Sequence, residues 1–193
     1  MSSRDDILQA IRQNKPALQA LPALPAFPRQ PGDLLASFKS MLQAISAQVI
    51  EVVDVSEIAP ALAVRYPDLD HVGSAVPDYV AGTMPLAEIG DPHALAPLDL
   101  FVCAGSLGVA ENGAVWVRES QMGHRAAPFL TQHLALVLDK RALVGTMHEA
   151  YERIQIDEEG FGVFIAGPSK TADIEQALVI GAHGPRSLTV VLY

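Results

Sequence analysis

The chain has a single cysteine, Cys103, among its 193 residues. One thiol excludes an intrachain disulfide and any zinc or iron–sulfur site held by several cysteines of this chain. A reducing compartment is the simplest setting for such a sequence, so we expect a cytoplasmic protein. The first residues are charged and lack the apolar core of a signal peptide, and no apolar run reaches the roughly 18 residues of a membrane helix.

Basic residues are scarce as well. The chain has 13 Lys and Arg against 22 Asp and Glu, which gives a formal net charge of −9. Proteins that bind nucleic acid usually carry a basic stripe, and no cluster of Lys or Arg occurs here. We therefore expect neither nucleic acid nor an anionic membrane surface as a partner. The six histidines are scattered without the spacing of metal ligands, so we predict no metal site.

Prolines mark off the first part of the chain. A short helical pattern is followed by five closely spaced prolines: Pro16, Pro22, Pro25, Pro28 and Pro31. They exclude a helix or a central strand and favour an extended, polyproline-like arm. Large apolar residues recur at every third position between 18 and 27, which is the period of that conformation. We interpret 1–31 as a helix and an arm that lies against its own domain or against a second subunit in a homodimer.

Residues 32–193 form a single α/β domain in this interpretation. Apolar periodicity predicts helices at 33–48, 56–65, 146–156 and 173–182. Strands are predicted at 49–53, 71–75, 100–104, 134–138, 161–166 and 187–192. Several of these strands are continuous apolar runs, as in strands that are covered on both faces, and Cys103 lies in one of them as a core thiol. The alternation predicts a Rossmann-like fold with a mostly parallel sheet.

One segment breaks the alternation. Asn112 and Gly113 stand between two apolar runs in 107–118, and Asn-Gly favours the two positive φ angles of a type I′ turn. We therefore predict an antiparallel hairpin inserted into the parallel framework. Glu111, just before the turn, is either a solvated carboxylate or a general base or nucleophile at the mouth of the sheet. His133 precedes a buried strand and is expected at the amino edge of the sheet, away from the chemistry.

The loop 167–171 resembles a phosphate-binding loop without matching one, because Pro168 and Ser169 stand between its second glycine and Lys170. Its polar residues have two interpretations. They are caps and dipole partners of a helix at 173–182 that ends before Gly184. Alternatively they bind a ligand, because loops that follow parallel strands lie at the edge where α/β sheets bind ligands.

Two stretches carry a family resemblance. Gly-Pro-Ser-Lys-Thr-Ala-Asp-Ile-Glu-Gln at 167–176, followed by Gly-Ala-His-Gly-Pro-Arg at 181–186, is very similar to the closing signature of the lactate utilization protein C family. It also resembles the related domain of lactate utilization protein B. Ala-Glu-Asn-Gly at 110–113 resembles the family's middle motif. The resemblance spans about residues 34–193 and implies a fold like that of ribose-5-phosphate isomerase, CoA transferases and formyltetrahydrofolate cyclo-ligase.

The resemblance further implies a role in the bacterial oxidation of L-lactate to pyruvate beside iron–sulfur partner proteins. We expect no cofactor in this chain, since any cluster would belong to a partner. The candidate ligand-binding residues are Asn112, Gly113, Ser169, Lys170, Thr171, Asp173, Glu175, His183, Gly184 and Arg186. The candidate catalytic residues are Glu111, Asp173 and Lys170.

Three functions stay open from the sequence. The first is a non-redox component of the lactate system that binds a small organic acid or a cofactor at the C-terminal loops. The second is an independent enzyme of the acyl-transfer or ATP-dependent ligase type, with Glu111 as nucleophile or base and Lys170 as a phosphate contact. The third is a scaffold without a ligand, in which the motif residues only serve the fold.

Overall fold

The structure is a computed structural model that describes residues 3–23, 32–155, 160–171 and 179–193. The helices are α1 (Ser3–Gln13), α2 (Leu34–Ala44), α3 (Ile58–Arg65), α4 (Ala127–Leu130) and α5 (Met147–Arg153). The strands are β1 (Gln48–Glu51), β2 (Val72–Ser74), β3 (Leu100–Ala104), β4 (Leu107–Val109), β5 (Ala114–Arg118), β6 (His133–Leu138), β7 (Leu143–Val144), β8 (Gly162–Ile165), β9 (Lys170–Thr171), β10 (Val179–Ile180) and β11 (Ser187–Leu192).

A five-stranded parallel sheet forms the centre of the fold, in the order β1-β11-β6-β3-β2. Its three central strands are the apolar segments that the sequence predicted, and nearly all of their side chains are buried. Strands that are covered on both faces need apolar side chains at odd and even positions alike. The predicted α/β class with a mostly parallel sheet is therefore confirmed.

Each face of this sheet has its own core. Leu136 and Leu138 of β6 pack on one face in a cluster that contains Phe38 of α2 and residues of the hairpin. Val137 of the same strand points to the opposite face and packs in a cluster that contains Leu62 of α3. The alternation along β6 thus places α2 and the hairpin on one side of the sheet and α3 on the other.

A second, four-stranded sheet has the order β7-β4-β5-β8, with β4 and β5 as the predicted antiparallel hairpin. The hairpin follows β3 after two residues, and the first of these, Gly105, passes very close to β5. A Cβ atom on Gly105 would lie 2.3 Å from Cγ1 of Val115. Glycine is therefore required where the chain leaves the parallel sheet and enters the second one.

The type I′ turn predicted for the hairpin is wrong. Val109 pairs with Ala114, so four residues, 110–113, form the loop. Gly113 has a positive φ of 69°, whereas Asn112 is not among the residues with positive φ. The Asn112 side chain instead accepts a hydrogen bond from the Ala114 N–H at 3.0 Å. An asparagine side chain that accepts a hydrogen bond from the N–H two residues on forms an Asx turn.

The strand predicted at 161–166 exists but belongs to a different sheet. β8 pairs antiparallel with β5 at the edge of the second sheet, and its side chains are only half-buried. Gly162 stands directly on the indole ring, because a Cβ atom there would lie 2.3 Å from Cζ2 of Trp116. An apolar run predicts a covered strand, but the choice of sheet depends on such close contacts with residues far away in the chain.

Two helices, α2 and α5, begin at residues whose side chains cap them. The Asp33 carboxylate accepts hydrogen bonds from the first turn of α2, and the Thr146 hydroxyl accepts one from Glu149 in α5. α2 ends at Ala44, earlier than predicted, because Ser46 has a left-handed φ of 66°. Ser56, the first residue of the helix predicted at 56–65, does not cap α3, because Asp54 caps a short 3-10 turn that precedes that helix.

The helix predicted at 173–182 does not extend to residue 182. Val179 and Ile180 form β10, which pairs antiparallel with Thr171 and Lys170 of β9. Residues 172–178, which include Asp173 and Glu175, lie outside the described residues. An apolar run without a polar face fits a strand as well as a helix, and β-branched residues favour the strand.

The N-terminal segment has little contact with the domain over its described part. α1 has no buried residue, and Leu18 and Leu21 of the arm are fully exposed. The rest of the arm lies outside the described residues, and the division at residue 31 stays a prediction. None of the helices in the described ranges is long and apolar enough to cross a membrane.

Candidate functional site

The C-terminal loops lie at the amino edge of the parallel sheet, and not at the carboxyl edge that the sequence predicted. Pro185 and Arg186 directly precede β11, and the Arg186 N–H donates to the Gln132 carbonyl just before β6 at 2.8 Å. The Ser169 N–H donates to the Pro185 carbonyl at 2.9 Å. Because β8 joins the second sheet, the loop that follows it reaches the amino ends of β6 and β11.

Backbone contacts hold the two C-terminal loops together. Besides its bond to Pro185, Ser169 accepts a hydrogen bond from the Gly181 N–H at 2.9 Å. Gly184 packs directly on Ser169, since a Cβ atom at Gly184 would lie 3.2 Å from the Ser169 Cβ. The segments 167–171 and 181–186, which are separated in sequence, therefore form one structural unit, which we call the C-terminal loop pair.

A cleft of about 330 Å³ opens in the C-terminal loop pair. Its walls are largely apolar and include Phe129, Leu134 and Ile165. Its polar lining comes from Ser169, Lys170 and His183. An apolar cavity with a few convergent polar groups is the usual form of a small-molecule site. We call it the motif cleft.

A second cleft of about 390 Å³ lies next to the motif cleft. Phe129, His183 and Gly184 line both, so the His183–Gly184 segment separates the two. Gln132 and Arg186 line only the second cleft. A guanidinium in such a position can hold a carboxylate through two parallel hydrogen bonds.

Lys170 has a structural bond in addition to its place in the motif cleft. Its Nζ donates to the carbonyl oxygen of Ile45, the residue that caps the C-terminus of α2. Cations at this end of a helix satisfy the last carbonyl groups and interact favourably with the helix dipole. Lys170 therefore has a capping role in addition to the ligand contact that the sequence analysis predicted for it.

The hairpin loop lines neither cleft, and its polar residues have partners within the fold. The Glu111 carboxylate is exposed and accepts a hydrogen bond from the Met147 N–H, at the start of α5, at 3.1 Å. Gly113 packs against Ile45 of α2, because a Cβ atom there would lie 2.9 Å from the Ile45 Cδ1. The structure thus uses Glu111 as a helix cap and Gly113 as a packing position.

The remaining predicted site residues divide between the two regions. Thr171 is half-buried in β9, opposite Val179, and lines neither cleft. Asn112 closes the hairpin loop. Asp173 and Glu175 lie outside the described residues. Within the described ranges, no group of three or more His, Cys, Asp and Glu side chains is arranged to hold a metal ion.

A buried polar network that the sequence analysis missed lies at the same amino edge, on the α3 face. The Tyr66 hydroxyl is 2.7 Å from the Thr189 hydroxyl and 3.0 Å from the Ser187 hydroxyl. The Ser187 Oγ is in turn 2.8 Å from Nδ1 of His133. Burial and the nearby charges of Arg65 and Arg186 lower the pKa of His133, and Asp99 opposes this effect.

The sequence contains a signal for this network. Ser187 and Thr189 stand at alternate positions of an otherwise apolar strand, so both side chains point to one face. Buried hydroxyl groups need hydrogen-bond partners, and the pattern therefore requires polar residues from another element on that face. Tyr66, at the end of α3, is that residue.

Comparisons with known proteins support the fold and the family. A family model described as the LUD domain matches residues 79–193. Lactate utilization protein C of Oceanobacillus iheyensis is 28% identical over 101 residues, which are 49% of this chain and 43% of that protein. The protein of the same name from Shouchella clausii is 35% identical over 92 residues, 45% of this chain and 40% of that protein.

A solved structure shows the same fold. The crystal structure of a DUF162 family protein from Deinococcus radiodurans superposes with a TM-score of 0.65 at 16% sequence identity. The superposition covers 82% of this chain and 95% of that chain. The sequence matches to the two named relatives, by contrast, span less than half the length of either protein.

Proposed function

The chain belongs to the LUD domain family, and from this membership we propose that it is a non-redox component of a bacterial system that oxidises L-lactate to pyruvate. The names of the relatives from Oceanobacillus iheyensis and Shouchella clausii support a role in lactate utilization. In this proposal the chain binds a small organic acid at the C-terminal loop pair, and iron–sulfur partner proteins carry the electrons.

The observation that carries the proposal is the convergence of two distant loops around the motif cleft. Ser169, Lys170 and His183 provide hydrogen-bond donors at its lining. Phe129, Leu134 and Ile165 contribute apolar lining, which suits the methyl group of lactate or pyruvate. The volume, about 330 Å³, lies in the range of small-molecule sites. Arg186 in the adjoining cleft offers a guanidinium for a carboxylate.

The cysteine content is the reason for assigning the redox chemistry to partner proteins in this proposal. Cys103 is fully buried, and burial raises the pKa of its thiol, so a reactive thiolate does not form there. In this proposal, a cluster ligated by several cysteines is held by a partner protein. The non-redox role of this chain is then to hold the acid, or to hold the partners together.

Ligand binding is tested by thermal-shift titration with L-lactate and with pyruvate, since a ligand of the folded state raises the melting temperature. We expect at least one acid to stabilise the wild type, and Ser169→Ala and His183→Gln to weaken the response. Arg141→Gln is the control, because Arg141 lies beyond the opposite end of β6 and pairs with Asp139. Equal responses in all four proteins, or none in any, would contradict the binding proposal.

The partner proposal needs its own experiment. We expect iron–sulfur proteins to copurify with the tagged chain from a bacterium grown on L-lactate, and the chain to be required for growth on that carbon source. Copurification and growth without any effect of the cleft variants would favour the scaffold hypothesis. The independent-enzyme hypothesis requires Glu111, and its capping bond to Met147 supports a structural role instead.

A further inference from the structure

A third cleft, of about 190 Å³, lies between α5 and the face of the second sheet that carries Trp116. Leu107 of β4 pairs with Trp116 of β5, so both side chains point to this face. Arg118 stands two residues after Trp116 and points to the same face. Arg153, the last residue of α5, lines the cleft from the opposite side. We call it the tryptophan cleft.

The tryptophan cleft adjoins the carboxyl edge of the parallel sheet. Its lining includes Ser106, the second residue after β3, and Ala142, in the turn that follows β6. These two strands are parallel neighbours, so both loops leave the same edge of the sheet. Open α/β sheets bind ligands outside the carboxyl ends of their strands. The tryptophan cleft therefore has the position that is usual for a ligand site, whereas the motif cleft lies at the amino edge.

Hydrogen bonds to Gln121 fix the role of the Ser106 hydroxyl. The Gln121 Oε1 accepts a hydrogen bond from the Arg118 backbone N–H at 3.1 Å. Because a backbone N–H can only donate, the accepting atom of Gln121 is its oxygen. The same Oε1 lies 2.6 Å from the Ser106 Oγ, so the single hydroxyl proton of Ser106 is donated to it. Toward the cleft, Ser106 can then only accept a hydrogen bond.

The polar lining of the tryptophan cleft combines positive charge with one acceptor. Arg118 and Arg153 carry permanent charges and donate only, and none of the described residues that line the cleft is Asp or Glu. Guanidinium groups suit a carboxylate. The acceptor on Ser106 suits a hydroxyl group of the ligand, because an ammonium group there would be repelled by the two guanidinium groups. The apolar lining, which includes Leu107 and Trp116, suits a short hydrocarbon chain.

We propose that the tryptophan cleft is a second ligand site, for a small hydroxy carboxylic acid with a short apolar chain. Arg118 and Arg153 hold the carboxylate, and Ser106 accepts a hydrogen bond from the hydroxyl group. A space of about 190 Å³ admits only a small molecule, so one ligand reaches all of these walls. The site is distinct from the motif cleft and does not depend on the proposed binding of lactate or pyruvate there.

Trp116 is the single tryptophan of the chain, so its fluorescence reports on this cleft. We would titrate the full chain with 2-hydroxybutyrate and with butyrate at equal ionic strength. We expect 2-hydroxybutyrate to bind about fivefold more tightly, because it makes one more hydrogen bond, and Ser106→Ala to lose this preference. Arg153→Gln should weaken the binding of both acids about tenfold, since a charged partner is lost. Arg65→Gln removes the same charge on the α3 face and should bind as the wild type does.

The absence of a saturable fluorescence change, or equal affinities of Arg153→Gln and Arg65→Gln, would overturn the inference. Equal binding of 2-hydroxybutyrate and butyrate to the wild type would overturn the role of Ser106. Ser169→Ala separates the two proposals, because Ser169 lines the motif cleft and should leave the fluorescence response intact. A response that Ser169→Ala abolishes and Ser106→Ala retains would place the acid in the motif cleft, so that this inference fails while the proposed function stands.

Discussion

The hairpin loop, 110–113, and the C-terminal loop pair carry the two family motifs, yet the fold uses their polar groups differently. In the hairpin loop, Glu111 caps α5 and Asn112 closes its own turn. In the C-terminal loop pair, backbone groups make the contacts that hold the loops together, and several side chains line the clefts. Side chains that are not needed for the loop geometry are the ones available to a ligand.

Lys170 and Ile45 connect the two regions. Gly113 of the hairpin loop and Gly167 of the C-terminal loop pair both pack against Ile45, the C-cap of α2. Lys170 donates to the carbonyl of the same residue. A family motif can therefore mark the contact between two loops and one helix end as well as the contact with a ligand. The following variants separate these two roles.

The largest effect is expected for Gly113→Ala, which tests whether the hairpin loop serves packing. Its positive φ costs a non-glycine residue about 1–2 kcal/mol, and the new Cβ would press on Ile45. We expect the free energy of unfolding in urea to fall by about 3 kcal/mol. Gly160→Ala is the matched control, with a similar φ of 71° and nothing within 4 Å, and it should lose only about 1 kcal/mol. Equal losses of unfolding free energy in the two variants would contradict the packing role of Gly113.

The next effect is expected for His183→Asn, which tests the C-terminal loop pair. His183 is exposed, so its replacement should leave the urea midpoint unchanged. Loss of a hydrogen bond to a carboxylate should weaken the binding of lactate or pyruvate about tenfold, as measured by isothermal titration. A large loss of stability with unchanged affinity would show that His183 serves the fold, as the hairpin-loop residues do.

Lys170→Met tests the residue that belongs to both roles. Removal of its bond to the Ile45 carbonyl should lower the free energy of unfolding by about 0.5–1 kcal/mol, because the bond is exposed at a helix end. The affinity for the acid should fall as well if the ammonium group contacts the ligand. Lys170→Arg keeps the charge and should retain most of the stability, so a loss in this variant would point to a geometric requirement.

The smallest effect is expected for Glu111→Gln. The amide oxygen can still accept the hydrogen bond from Met147, so the free energy of unfolding should change by only about 0.5 kcal/mol. Growth on L-lactate should be unchanged. A loss of growth with unchanged folding would restore Glu111 as a nucleophile or base and favour the independent-enzyme hypothesis.

Local sequence patterns predicted the helices and strands better than they predicted which strands pair with each other. The apolar strands of the parallel sheet, the hairpin and the caps of α2 and α5 all follow from side-chain types within a few residues. The placement of β8 was missed, because it depends on Gly162 lying on the ring of Trp116. That error also placed the loop 167–171 at the wrong edge of the parallel sheet, and the candidate site with it.

The candidate site was predicted in part for the same reason. Ser169, Lys170, His183, Gly184 and Arg186 do come together at the clefts. Glu111, Asn112 and Gly113 carry the same kind of sequence signal, and the structure places them in contacts within the fold. Capping and ligand binding use the same polar side chains, so residue type alone does not distinguish them.

The sequence by itself determined the α/β class, the buried strands and the hairpin, because these depend on composition and on neighbours in the chain. Tertiary structure decided which edge of the sheet carries the motif loops, which sheet β8 joins, and how Tyr66, His133 and Ser187 meet. These outcomes depend on pairing between strands and on contacts between distant residues. Such contacts are set by the packing of the whole chain and leave no local pattern to read.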